Sequence, residues 1–269
     1  MNRINTTFAQ LKMQSRKALI PYITAGDPNL DITVPLMHAL VDAGANLIEL
    51  GMPFSDPMAE GPTIQAAHER ALKHGVTLFD VMETVRKFRQ LDANTPVILM
   101  GYLNPIETMG YAKFAAMAQQ AGVDGILLVD LPIEEATELL AELNQYNIPL
   151  IFLITPTTTA ERLTLICQKS GGYHYYVSLK GVTGSKQINV AEVAEKLAQI
   201  RQTATLPIAV GFGIRDPKSA AAIAKIADGV IVGSALIAHI AAIGNEDVKQ
   251  ITQAATQFIA DMRLAMDAL

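Results

Sequence analysis

The heptapeptide NLIELGM, residues 46–52, is apolar without alternation, and it is followed at once by the loop sequence PFSDPMAEGPTIQ. Strands with one wet face alternate polar and apolar side chains; strands buried on both faces do not. The block therefore reads as a buried strand of a parallel sheet. It has seven counterparts: ALIPYIT (18–24), PVILMGY (96–102), GILLVDL (125–131), PLIFLIT (149–155), YHYYVSL (173–179), PIAVGFG (207–213) and DGVIVGS (228–234). Between them lie amphipathic segments with helical period. Several stop at glycine, as at Gly44, Gly122 and Gly171, where a helix end wants one. Pro96, Pro149 and Pro207 open strands, where a missing N–H is tolerated.

Eight buried strands alternating with helices predict parallel pairing through right-handed crossovers. In a chain of 269 residues that closes into an α/β fold, a (β/α)8 TIM barrel. Residues 1–15 supply an extra helix before the first strand, and 247–268 a final helix. No linker interrupts the series, so residues 1–269 read as one domain. A doubly wound open sheet is the competing topology. It calls for a dinucleotide fingerprint, and GFGIRD (211–216) carries two of its three glycines.

Composition narrows the partners. Acidic residues outnumber basic ones by 26 to 21, with no basic run for nucleic acid. One cysteine, Cys167, leaves no internal disulfide and fits a reducing, cytoplasmic setting. The greasiest stretch, DGVIVGSALIAHIAAIG, is short for a bilayer span and carries Asp228 and His239. The histidines at 38, 68, 74, 174 and 239 lack metal-ligand spacing and read as surface or packing residues.

In this barrel, chemistry gathers at the C-terminal strand ends. Glu49 stands in the second apolar run, sharing a face with Leu47. By position it reads equally as a strand-end glutamate reaching water or as a buried acid. A carboxylate among apolar groups is costly without work or a partner, and burial raises its pKa towards neutrality. Asp56 and Glu60 sit in the loop after it, stiffened by Pro53, Pro57 and Pro62; each alone reads as a solvated loop acid. Gly181, Gly184 and Ser185 in SLKGVTGSKQ, the GFG at 211–213 and the GS at 233–234 suggest a phosphate cradle, since glycines let backbone amides approach an anion and helix starts favour negative charge. Lys180 lies in that glycine-rich loop, a poor place for a desolvated catalytic amine.

The segments ELGMPFSDPMAEGPTIQ, GYLNPI, VDLP, YYVSLKGVTG, VGFGI and VGSAL resemble the tryptophan synthase α subunit family, over essentially the whole chain. The resemblance implies a lyase: retro-aldol cleavage of indole-3-glycerol phosphate to indole and D-glyceraldehyde 3-phosphate. It implies no cofactor in this chain, and a pyridoxal-phosphate β subunit partner in an α2β2 tetramer that receives the indole. Carried over residue by residue, Glu49 matches the general acid and base. Glu60 matches the second carboxylate, where the family commonly has aspartate. Tyr175 matches the residue lining the pocket and supporting the acid. Tyr22 (phenylalanine is common there), Met100, Leu127, Phe212 and Ile231 match the indole walls. Gly184, Gly213, Gly233 and Ser234 match the phosphate cradle, and Asp56 and Asn104 lie on loops expected to meet the partner. Three rival readings stay open on the residues alone: another phosphate-sugar barrel, a catalytically dead activator and a pure binding module.

Overall fold

A computed structural model describes residues 2–178, 189–244 and 247–269. Its strands are β1 (Ala18–Thr24), β2 (Ile48–Gly51), β3 (Val97–Gly101), β4 (Gly125–Leu128), β5 (Leu150–Ile151), β6 (Leu153–Ile154), β7 (His174–Val177), β8 (Ile208–Gly211) and β9 (Gly229–Val232). All pairings are parallel, in the order β5-β4-β3-β2-β1-β9-β8-β7-β6. The two ends of that order, β5 and β6, are separated only by Phe152, so one stretch of chain closes the ring. The run 149–155, expected as one strand, is thus two. Phe152 N–H donates to Ser170 Oγ at 3.4 Å, which takes that amide out of the ladder.

The helices are α1 (Arg3–Met13), α2 (Leu30–Asp42), α3 (Pro62–Lys73), α4 (Leu78–Phe88), α5 (Leu103–Met109), α6 (Tyr111–Ala121), α7 (Thr137–Gln145), α8 (Ala160–Lys169), α9 (Val190–Ile200), α10 (Pro217–Ala224), α11 (Ser234–Ala242) and α12 (Val248–Asp267). The expected extra helices at the start and end are α1 and α12. Alternation along each strand sorts the core into two layers. Ile48 and Leu50 point outward to the layer between sheet and helices. Leu47, Ile98, Leu127, Ile151, Ala209 and Ile231 fill the barrel interior.

Helix α1 plugs the N-terminal mouth. Its Ile4, Phe8 and Leu11 join the interior layer. Asn2 caps it by accepting from Ile4 N–H at 2.8 Å, worth about 1 kcal/mol. Asp124, buried at the start of β4, anchors it. That carboxylate accepts from Arg3 at 2.9 Å, Arg89 at 2.6 Å and the Val97 amide at 2.9 Å. Cavities remain beside α1 at this end, lined by Asn2, Asn5, Asp124 and Leu206, but chemistry in this architecture gathers at the opposite, C-terminal strand ends.

Candidate active site

Register places the polar groups. Glu49 on β2 pairs with Tyr22 on β1 and Ile98 on β3. Parallel partners share a face, so all three enter the barrel together. Glu49 has no exposed surface. Tyr173 Oη donates to Glu49 Oε1 at 2.5 Å, and Oε2 has no hydrogen-bond partner among the described residues. Burial, opposed by the Tyr173 hydrogen bond and reinforced by the Glu60 charge, pushes the Glu49 carboxyl up to about 8. The carboxyl is therefore protonated near neutrality. With Tyr173 donating to Oε1, a proton on the neutral carboxyl belongs on Oε2.

Glu60, also buried, lies in the loop that follows, and desolvation raises its carboxyl to about 7. The loop is stitched to the barrel: Ala59 N–H donates to Tyr102 Oη at 3.0 Å, Gln65 Nε2 donates to the Glu60 carbonyl at 2.8 Å, and the Phe54 and Tyr102 rings stack at 5.1 Å. Two carboxyl groups poised around neutrality by environment, at the open end of a barrel, are suited to moving protons.

Tyr175 is buried in the interior layer, and burial, then the charges of Glu49 and Glu60, keep its phenol protonated. It makes no hydrogen bond to Glu49 here; the direct partner is Tyr173, which the reading of the sequence missed. The signal was present, since positions 173 and 175 alternate onto one face of β7. Gly51 and Gly211 leave room for the hydroxyl ends of Tyr22 and Tyr175, because a Cβ on either would overlap the phenol oxygen. Leu127 and Ile231 lie deep in the interior, with Met100 bridging to the mouth beside Tyr22. Phe212, by contrast, is 42% exposed at the rim, in left-handed backbone with φ 78°. Ser178 Oγ lies within 3.0 Å of the Gly211 and 2.9 Å of the Phe212 carbonyl, tying the end of β7 to that turn.

Gly213 follows β8, and Gly233 is the residue before Ser234, the first residue of α11. Gly184, Gly181, Ser185 and Lys180 lie outside the described residues. Asp56 and Asn104 are exposed on the loop after β2 and on α5. Between them in chain order, Met58 is 83% exposed, an apolar surface group that the sequence reading did not single out. Just after β4, the Asp130 carboxylate accepts from Leu103 N–H at 2.9 Å, at the first residue of α5. His68 is not simple packing, as it bonds both Phe54 and Tyr22. Among the described residues no three His, Cys, Asp or Glu side chains gather as a metal site, and no helix is long and apolar enough to cross a membrane.

The closed parallel barrel, with two buried carboxyl groups in the second strand and the loop after it, defines the class of TIM-barrel proteins. A model of the tryptophan synthase alpha chain family matches residues 8–267. The tryptophan synthase alpha chain of Marinobacter nauticus is 55% identical over 269 residues, covering 100% of this chain and 99% of its own. That of Thioalkalivibrio sulfidiphilus is 55% identical over 267 residues, covering 99% and 100%. The crystal structure of tryptophan synthase subunit alpha from Legionella pneumophila superposes with a TM-score of 0.92 at 49% identity, each chain covered fully. The chain belongs to the tryptophan synthase alpha chain family and is a lyase.

Proposed function

We propose that Glu49 carries the family's reaction here, the retro-aldol cleavage of indole-3-glycerol phosphate to indole and D-glyceraldehyde 3-phosphate. The supporting observation is a carboxyl group without solvent exposure, raised to about 8, whose free oxygen faces the barrel interior. Breaking the bond between indole ring and glycerol chain needs a proton on the ring carbon. Glu49, neutral in the resting site, supplies it from Oε2. Positive charge then develops at the ring nitrogen, and Glu60 accepts or stabilises its N–H. Glu49, now a carboxylate held by Tyr173, takes the proton of the chain hydroxyl. The aldehyde forms, the ring–chain bond breaks, and its electrons return to the ring. Glu49 ends protonated, as it began.

The remaining roles follow the same reading. Tyr22, Met100, Leu127 and Ile231 enclose the indole, with Phe212 at the rim and Tyr175 packing beside the acid. Gly213, Gly233, Ser234 and Gly184 hold the phosphate, using the start of α11. The chemistry calls for no cofactor in this chain. We place the protein in the cytoplasm, as one domain, docked in an α2β2 tetramer to a β subunit. The β subunit's pyridoxal phosphate consumes the indole. Asp56, Asn104 and the exposed Met58 meet that partner.

The test is Glu49→Gln, nearly isosteric and unable to give and retrieve a proton. Indole release should fall by about 10²–10⁴-fold or more, while glycerol phosphate still binds. Near-unchanged turnover would remove Glu49 from the chemistry.

A further inference from the structure

A file of hydrogen bonds runs from the acidic loop into the barrel wall. Phe54 N–H donates to His68 Nδ1 at 3.1 Å, His68 Nε2 lies 3.1 Å from Tyr22 Oη, and Tyr22 Oη lies 3.2 Å from Thr24 Oγ1. A backbone amide can only donate, so Nδ1 holds a lone pair. Burial lowers the His68 pKa and keeps the ring neutral. Its one proton is therefore on Nε2, donated to Tyr22 Oη, and the phenol proton is turned away from His68. The direction of the whole file is set by one loop amide.

The file has little slack. Tyr22, His68 and Thr24 are all buried, and the Tyr22 hydroxyl abuts Gly51. His68 and Gln65, three residues apart on α3, lie on one helix face. Gln65 holds the Glu60 carbonyl, while His68 holds Phe54 at the other end of the same loop. A glutamate has one more rotatable bond than an aspartate, so its carboxyl stands in one place only if loop and wall are fixed around it.

We propose that His68 is a positioning residue for the cleavage reaction: by holding the Phe54 amide and the Tyr22 phenol together, it locks the loop carrying Glu60 to the barrel wall and sets where the Glu60 carboxyl meets the indole N–H. This rests on reading Glu60 as the group that serves the ring nitrogen. A misplacement of about 1 Å in such a group can cost about 10²-fold in rate, with ground-state binding of the phosphate end unaffected.

The experiment is a double-mutant cycle on the full-length chain, read as kcat and KM for indole release. His68→Leu keeps apolar bulk and removes both hydrogen bonds; kcat should fall about tenfold or more with KM little changed. His68→Asn places an amide oxygen near Nδ1, keeps the Phe54 tie, and should recover part of the loss. In a Glu60→Gln background, His68→Leu should cost nothing further, since both act through one carboxyl. Losses that multiply would overturn the proposal while leaving the role of Glu60 intact. So would a change confined to KM or to the melting temperature. A fully active Glu60→Gln enzyme would overturn the Glu60 reading and the proposal with it. Should His68→Leu not fold, His68→Asn and Tyr22→Phe complete the same cycle.

Discussion

Replacing Tyr173 by phenylalanine would remove one oxygen from the barrel interior and leave the ring's packing. That hydroxyl donates to Glu49 Oε1 at 2.5 Å. A hydrogen bond to a charged group contributes about 1.5–3 kcal/mol. The neutral carboxyl also enjoys a weaker bond, so the preference for the ionised form is roughly half of that, about 1 kcal/mol or a little under one pKa unit. Burial holds the Glu49 carboxyl at about 8 against this opposing hydrogen bond. Without the bond the carboxyl should titrate about one unit higher. The consequence is legible in kcat for indole release measured from about pH 6 to about pH 10. The alkaline limb, where Glu49 loses the proton it must donate, should move up by about one unit. The plateau should drop several-fold, because a weaker acid protonates the ring more slowly. Tyr175→Phe, lacking any hydrogen bond to Glu49, should leave the limb in place. An alkaline limb unmoved in a folded Tyr173→Phe variant would refute the claim that Tyr173 biases Glu49 towards ionisation.

Two further outcomes are expected. His174 is buried with both ring nitrogens lacking partners among the described residues, and burial lowers its pKa to about 4. An unfolded histidine titrates near 6.5, so between about 6.5 and 4 the unfolded chain binds more protons, and stability should fall with falling pH by up to about 3 kcal/mol. His174→Leu should flatten that part of the curve in denaturant melts at about pH 5 and pH 7; an identical fall in both proteins would clear His174. At the partner face, Asp56→Ala or Met58→Ala should lower activation by the β subunit more than basal cleavage. A titration with β subunit showing unchanged activation would take that loop out of the interface.

Much of the fold is written in local pattern. Eight unalternating apolar blocks with helical segments between them specify parallel strands covered on both faces, because period and burial are properties of neighbours in sequence. The same logic put Glu49 with Leu47 on one face of its strand, and the glycines at the ends of β8 and β9 where a phosphate would be held. Motif resemblance then named the reaction. Which residue touches which was another matter. Tyr173 and Glu49 are 124 positions apart, and only ring closure brings β7 across from β2. His68 looked like helix packing, since nothing in its own helix reports that Phe54 and Tyr22 converge on its two nitrogens. The amide at the break, Phe152 N–H, finds its partner in a serine 18 positions away. Above all, no window of sequence contains the dielectric: whether Glu49 meets water or is sealed from it, and so whether it is an acid near neutrality, was decided when the barrel closed around it.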